Sequence, residues 1–147
     1  MEPVDYLSIA DDIIEKIKAG AFLTVRAGDR LNTMTIGWAA IGLCWRKPVF
    51  MVAVRDSRHT FDLIERAADY TVSVPDGDKL AACNLKTLDG QQVASPVIDT
   101  PGIHFECRII YKSAMDPSHL ASDLKSLYPE KDYHTLYFGD IVACYRI

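Results

Sequence analysis

The chain has 147 residues, of which 49% are apolar and 24% charged, enough for an ordinary hydrophobic core and incompatible with a disordered or collagen-like chain. The length predicts a single domain over residues 1–147. Sixteen Lys and Arg against twenty Asp and Glu give a net charge of −4, so the chain lacks the basic face of a nucleic-acid binder and must meet any anion with a local cluster of donors.

Four cysteines, Cys44, Cys83, Cys107 and Cys144, form no CxxC pair and no cysteine–histidine knuckle, so no metal site is expected. Each lies in or beside an apolar run, as reduced core thiols do. The acidic start, with Glu2 and Asp5, is unlike a signal peptide, and the longest apolar run, residues 34–45, is shorter than the ~20 residues a bilayer requires. These features predict a soluble cytoplasmic protein with no membrane partner.

In chain order, Tyr6, Ile9, Ile13, Ile14 and Ile17 recur at helical spacing opposite Asp11, Asp12, Glu15, Lys16 and Lys18. Asp5 or Ser8 is the candidate cap, and Gly20 fits just past the end. Strands are predicted at 21–27, closed by Gly28 and Asp29, and at 33–45, a long run bent at Gly37 and Gly42. Further strands are expected at 49–54, 70–74, 105–111 and 136–145. Helical pieces are expected at 57–67, 78–85 and 117–127, the last with Leu120, Leu124 and Leu127 in phase. Residues 86–100 carry turn formers without periodicity, which predicts a mobile or functional loop. Six strands with small peripheral helices predict a mainly β protein, a closed or nearly closed β-barrel.

Two segments stand out chemically. Arg55, Asp56, Ser57, Arg58, His59 and Thr60 follow a buried strand and open a predicted helix. Unpaired N–H groups at a helix start, with two guanidinium groups and two hydroxyls, suit a phosphate. The residues alone leave a second reading open, in which Ser57 is a plain N-cap and the arginines are solvated. Asn32, Thr33, Met34 and Thr35, at the entry to the preceding strand run, offer polar side chains and backbone for a flat heterocycle, or equally a turn followed by a Thr-rich strand. His59 reads as a spacer, His104 and His119 as surface or strand-end residues, and Trp38 and Trp45 as core residues, with the alternative that one of the two borders a bound ring. There is no GxGxxG and no GxxxxGK[ST], which leaves dinucleotide and nucleoside-triphosphate folds unsupported.

Taken together, Asn32-Thr33-Met34-Thr35, then Arg55-x-Ser57-Arg58-x-Thr60, then His104-Phe105-Glu106-Cys107-Arg108, then the run from Asp132 to Ile141 resemble the flavin reductase-like family of FMN-binding split barrels, and within it the flavoredoxin-like branch. The resemblance implies FMN as cofactor. Asn32, Thr33, Met34 and Thr35 would line the isoalloxazine and ribityl chain, and Arg55, Ser57, Arg58 and Thr60 would hold the 5′-phosphate. It also implies a homodimer with the flavin near the subunit interface, so that His134 and Tyr137 approach a cofactor bound mainly by the other chain. The implied activity is that of an NAD(P)H:flavin reductase, with hydride passing from a nicotinamide donor to flavin N5 and on to an unknown electron acceptor. The alternative is an FMN-carrying electron-transfer protein that does not react with nicotinamide. No side chain need act as acid or base, and no catalytic residue is named. One departure is plain: the family's Cys-Gly-x-x-Ser-Gly-Arg-Asp stretch is replaced here by residues 83–90, without its Gly, Ser and Arg, which predicts a flavin more open to solvent.

Overall fold

The computed structural model describes residues 1–77 and 85–147. Cys83 and nearly all of the helix predicted at 78–85 lie outside the described residues. The chain opens with a short strand, β1 (Glu2–Pro3), and a 3-10 turn at Tyr6–Ser8 whose Leu7 N–H donates to Asp5 Oδ1 at 3.1 Å. Asp5 therefore caps this turn and not the helix that follows. Helix α1 (Ala10–Ala19) buries Ile13 and Ile17, carries Asp11 and Asp12 in its first turn and Lys16 and Lys18 in its last, as the macrodipole favours, and stops at Gly20 with φ 103°.

The strands are β2 (Ala21–Ala27), β3 (Arg30–Ile36), β4 (Ala39–Cys44) and β5 (Lys47–Arg55), followed by helix α2 (His59–Ile64) and strand β6 (Asp69–Pro75). Two-residue strands β7 (Thr87–Leu88) and β8 (Val97–Ile98) pair with each other, and the long strands β9 (Gly102–Ala114) and β10 (His134–Arg146) complete the set. The single bent strand expected over 33–45 is in fact two. β3 pairs with β2, whereas β4 pairs with β5, and the chain turns between them at Gly37 and Trp38. The apolar run is continuous because both strands contribute to one core: Ile36 is buried, and Ala39 and Ile41 pack against the same cluster. The helix expected at 117–127 is replaced by two 3-10 turns, Pro117–His119 and Ser122–Leu127, neither with a buried residue. Its leucines are in helical phase but bury no helix face, with Leu124 and Leu127 42% and 46% exposed, and propensity alone does not sustain so short a helix.

Hydrogen bonding runs β3-β2-β6-β9-β10-β5-β4, with β1 also on β10. The two ends of this path, β3 and β4, are chain neighbours joined through Gly37 and Trp38. Three Cα–Cα steps span at most about 11 Å, so the ends must meet in space and the sheet must curl. Among the described residues β3 and β4 do not pair, so the curled sheet stays open at that seam and the closed barrel is not formed. Register shifts between β9 and β10 at Phe138/Gly139 and Ile141/Ala143 add curvature. Gly139 is required there, since a Cβ would lie 2.5 Å from Tyr70 Oη and 2.7 Å from Cys107 Cβ. Inside the curl lie Leu23, Val25, Phe50, Val52, Val54, Tyr70, Val72, Phe105 and Tyr137, with Ile13 and Ile17 from α1.

A second buried layer, polar this time, covers the outer face of β6 and β9. Glu106 is fully buried and accepts from the N–H groups of Gln91 (2.7 Å), Gln92 (2.6 Å) and Val93 (3.2 Å) and from the Tyr145 hydroxyl (2.7 Å). Asp69 accepts from the N–H groups of Ala94 and Ser95, and Thr71 donates to the Pro96 carbonyl. The stretch expected to be a mobile or functional loop is thus pinned over residues 91–95 by two carboxylates from neighbouring strands and at Pro96 by the Thr71 hydroxyl. His104, read from sequence as a surface or strand-end residue, lies near the start of β9 and is fully buried: Nε2 lies 3.0 Å from the Thr100 carbonyl and Nδ1 2.9 Å from Ser73 Oγ. A carbonyl only accepts, so Nε2 carries the proton and Nδ1 accepts from Ser73. Burial, foremost, lowers the His104 pKa from its usual value. Trp38 and Trp45 are 44% and 57% exposed and not core, and Cys44 is exposed while Cys107 is buried. Among the described residues no helix is long and apolar enough to cross a membrane.

Candidate functional site

The seam between β3 and β4 is where the molecule is hollow. One cleft of about 200 Å³ is lined by Met34, Thr35, Ile36, Gly37 and Trp38 from the seam, Ala53 and Arg55 from β5, Arg58, and His134 from β10. A second, of about 450 Å³, is lined by Asn32, Thr33, Met34, Thr35, Ser57, Arg58, His59 and Thr60. The two share Met34, Thr35 and Arg58 and form one continuous groove. On its outer edge β3 has no neighbouring strand among the described residues, so alternate backbone N–H and C=O groups face the seam unpaired.

The polar strand and the arginine loop are tied together directly. The Asn32 amide donates to Oγ1 of the fully buried Thr60 at 2.8 Å, fixing β3 against the start of α2. Thr33 and Thr24 share a hydroxyl hydrogen bond of 3.0 Å across β3 and β2, which sets Thr33 on the strand's other face. Helix α2 has only six residues and begins at His59, with Arg58 in the capping position and no side-chain cap. Ser57 is therefore not an N-cap; its hydroxyl donates to Asp132 Oδ2 at 3.1 Å. Arg55 donates through Nη1 to Asp132 Oδ1 at 2.8 Å and through Nη2 to the Leu127 carbonyl at 3.2 Å, with its guanidinium 4.7 Å from the Tyr128 ring centroid. Arg58 has no ion-pair partner among the described residues and lines both halves of the groove.

At the other wall His134 is 8% exposed, with Nδ1 2.6 Å from the Tyr128 hydroxyl and its ring 4.9 Å from that of Trp38. Burial and then the Arg55 charge lower the His134 pKa, keeping the imidazole neutral near pH 7. Desolvation opposes ionisation of Asp132, but the Ser57 hydrogen bond and the Arg55 charge outweigh it and hold the carboxyl below its usual range.

All nine candidate residues border this groove: Asn32, Thr33, Met34 and Thr35 from β3, Arg55, Ser57, Arg58 and Thr60 from the loop, and His134 from β10. His134 enters from the same chain that supplies the rest. Tyr137 does not take part, being buried with its hydroxyl donating to Glu65 Oε1 at 2.6 Å. None of residues 85–100 lines the groove. Sequence reasoning missed Asp132 and Tyr128, whose contacts to Arg55 and His134 depend on the β5–β10 pairing that brings His134 opposite Arg55.

The fold defines a class. Solved structures that superpose on this chain are FMN-binding flavin reductase-like proteins and flavoredoxins, and the architecture is the FMN-binding split barrel. Flavoredoxin of Methanosarcina acetivorans aligns with a TM-score of 0.62 at 18% identity, over 87% of this chain and 68% of that one. An NADH:FAD oxidoreductase of Streptomyces globisporus, solved with NAD and FAD fragments, gives 0.67 at 15% identity, over 100% and 87%. An FMN-binding protein of Thermus thermophilus with bound p-hydroxybenzaldehyde gives 0.61 at 20% identity, over 87% and 71%. No protein-family model and no curated protein matches the sequence.

Proposed function

We propose that this protein binds FMN in the seam groove and works as a flavin-dependent oxidoreductase of the NAD(P)H:flavin reductase type. The observation that carries the reading is the groove itself: a polar strand with a free backbone edge, Asn32 to Thr35, is joined through Arg58 to a hydroxyl-bearing loop. These residues fit the cofactor. The unpaired peptide groups of β3 match the donors and acceptors around a flat heterocycle, and Arg58, with no carboxylate beside it among the described residues, matches a phosphate. When bound, FMN would supply hydride acceptance and electron transfer, with the protein contributing orientation and electrostatics. Neutral, buried His134 and the exposed face of Trp38 would border the ring end, excluding water from one side.

The same reading takes the chain as one domain that assembles as a homodimer. Trp45 packs 5.5 Å from the Tyr111 ring and 5.8 Å from that of Phe138, and Leu43, Trp45 and Tyr111 are each at least half exposed, an apolar patch suited to a second copy. Flavin fluorescence titration tests cofactor binding, and sedimentation at micromolar concentration tests the dimer. Anaerobic addition of NADH or NADPH tests the activity: rapid bleaching of the flavin band is expected. Reduction by dithionite alone would turn the reading toward an electron-transfer carrier.

A further inference from the structure

Two of the four residues matched to the phosphate are already engaged by the protein's own carboxylate. Arg55 and Ser57 bind opposite oxygens of Asp132, at 2.8 and 3.1 Å. Ser57 has one O–H, and it is spent on Asp132. The Arg55 charge is offset by its salt bridge, and its second terminal nitrogen holds the Leu127 carbonyl. Asp132 lies in the segment 115–133 between β9 and β10, far from Arg55 in sequence, and the turn Ser122–Leu127 within that segment buries no residue of its own. Side-chain packing therefore does not fix this turn, and Arg55 ties it to the sheet.

What the tie builds is one end of the groove. Arg55 sits over Tyr128 (4.7 Å) and Trp38 (5.8 Å), Tyr128 reaches His134, and Trp38, Tyr128, Met115, Leu120, Leu124 and Leu127 enclose an adjoining apolar cleft of about 250 Å³. Trp38 is the wall common to this cleft and the seam groove.

We propose that Arg55 and Asp132 form a fixed latch, in which Arg55 is a positioning residue that sets Trp38, Tyr128 and His134 against the ring end of the flavin and leaves the anion to Arg58. The proposal rests on the reading that the groove holds FMN, and it inverts a sign. If Arg55 were a phosphate ligand, Asp132→Ala would release its guanidinium and the Ser57 hydroxyl, remove a negative charge, and tighten FMN while leaving riboflavin unchanged. As a latch, its loss loosens the wall and weakens both ligands alike.

The experiment is titration of FMN and of riboflavin into the wild type, Arg55→Ala, Asp132→Ala, Asp132→Asn and the Arg55→Ala/Asp132→Ala double variant, each checked for an intact fold by circular dichroism. Each single alanine variant is expected to weaken both flavins by the same factor, roughly three- to fivefold, as for a modestly exposed ion pair. The double variant should be no weaker than either single one. Asp132→Asn, which keeps an acceptor for Arg55, should recover part of the loss. Tighter FMN binding by Asp132→Ala, or a loss in Arg55→Ala confined to FMN, overturns the proposal. Trp38 emission in a Trp45→Phe background reads the latch without any flavin: Arg55→Ala should shift it to the red, and an unchanged spectrum also overturns the proposal. Failure of the wild type to bind either flavin would instead defeat the reading of the groove, and the tryptophan measurement would still decide the latch.

Discussion

Replacing Arg58 with alanine removes the one guanidinium that lines both halves of the groove and has no acidic partner among the described residues. A hydrogen bond to a charged group contributes about 1.5–3 kcal/mol, so losing one such bond to the phosphate should weaken FMN binding roughly ten- to a hundredfold. Riboflavin carries no phosphate, and its affinity should stay within about twofold, a change smaller than one weak contact. Arg58→Lys keeps a charge but not the planar fork, and should fall between wild type and alanine. Added salt should weaken FMN binding to the wild type more than to the alanine variant, because the phosphate contact is screened. Fluorescence titration of both flavins at two ionic strengths gives all of these values. Equal losses for FMN and riboflavin would refute the assignment of the phosphate to this residue.

Glu106→Gln leaves one acceptor oxygen where the carboxylate met four donors, and turns an amide N–H₂ toward backbone N–H groups. Urea melts should show a loss of about 2–4 kcal/mol while FMN affinity is kept, and unchanged stability would contradict the pinning of residues 91–96. Gly102 has φ +155°, and a Cβ there would lie 2.3 Å from the Val74 carbonyl oxygen. Gly102→Ala should destabilise by more than the ~1–3 kcal/mol of backbone strain alone, measured as a fall in Tm. His104 and His134 both have folded-state pKa values below 6.5, so on acidification the unfolded chain takes up protons that the folded one does not. Their stabilising effect is full above the unfolded value and is lost as pH falls from 6.5 toward the lowered values. Tm should drop over that window, and His104→Gln should flatten the drop; a Tm that rises on acidification would show the sign to be wrong.

Much of the site was legible because its two halves are local in sequence. Asn32 to Thr35 and Arg55 to Thr60 are each a few residues long, and their chemistry shows without a fold. The bounds of β2 were equally plain, an apolar run ended by Gly28 at φ 62°. What the sequence hid depends on partners far along the chain. The salt bridge from Arg55 to Asp132 shows only once the pairing of β5 with β10 sets the two side by side. The burial of His104 and Glu106 shows only once residues 91–100 are laid over them. Periodicity misled at 33–45, where one core collects two strands, and at 117–127, where the leucines line a cleft and not a helix interface.

The linker at Gly37 and Trp38 has a consequence for the tuning of this architecture. Edge strands β3 and β4 are held near each other by covalent chain and not by a ladder, so the groove's width is bounded by the number of bonds between Ile36 and Ala39. Each residue inserted there would relax that bound by up to about 3.3–3.6 Å, without touching any pairing in the sheet. Linker length is thus a coarse dial for ligand size, separate from the side chains that set ligand chemistry, and a library varying only the linker would sample bulkier or slimmer heterocycles on an otherwise constant scaffold.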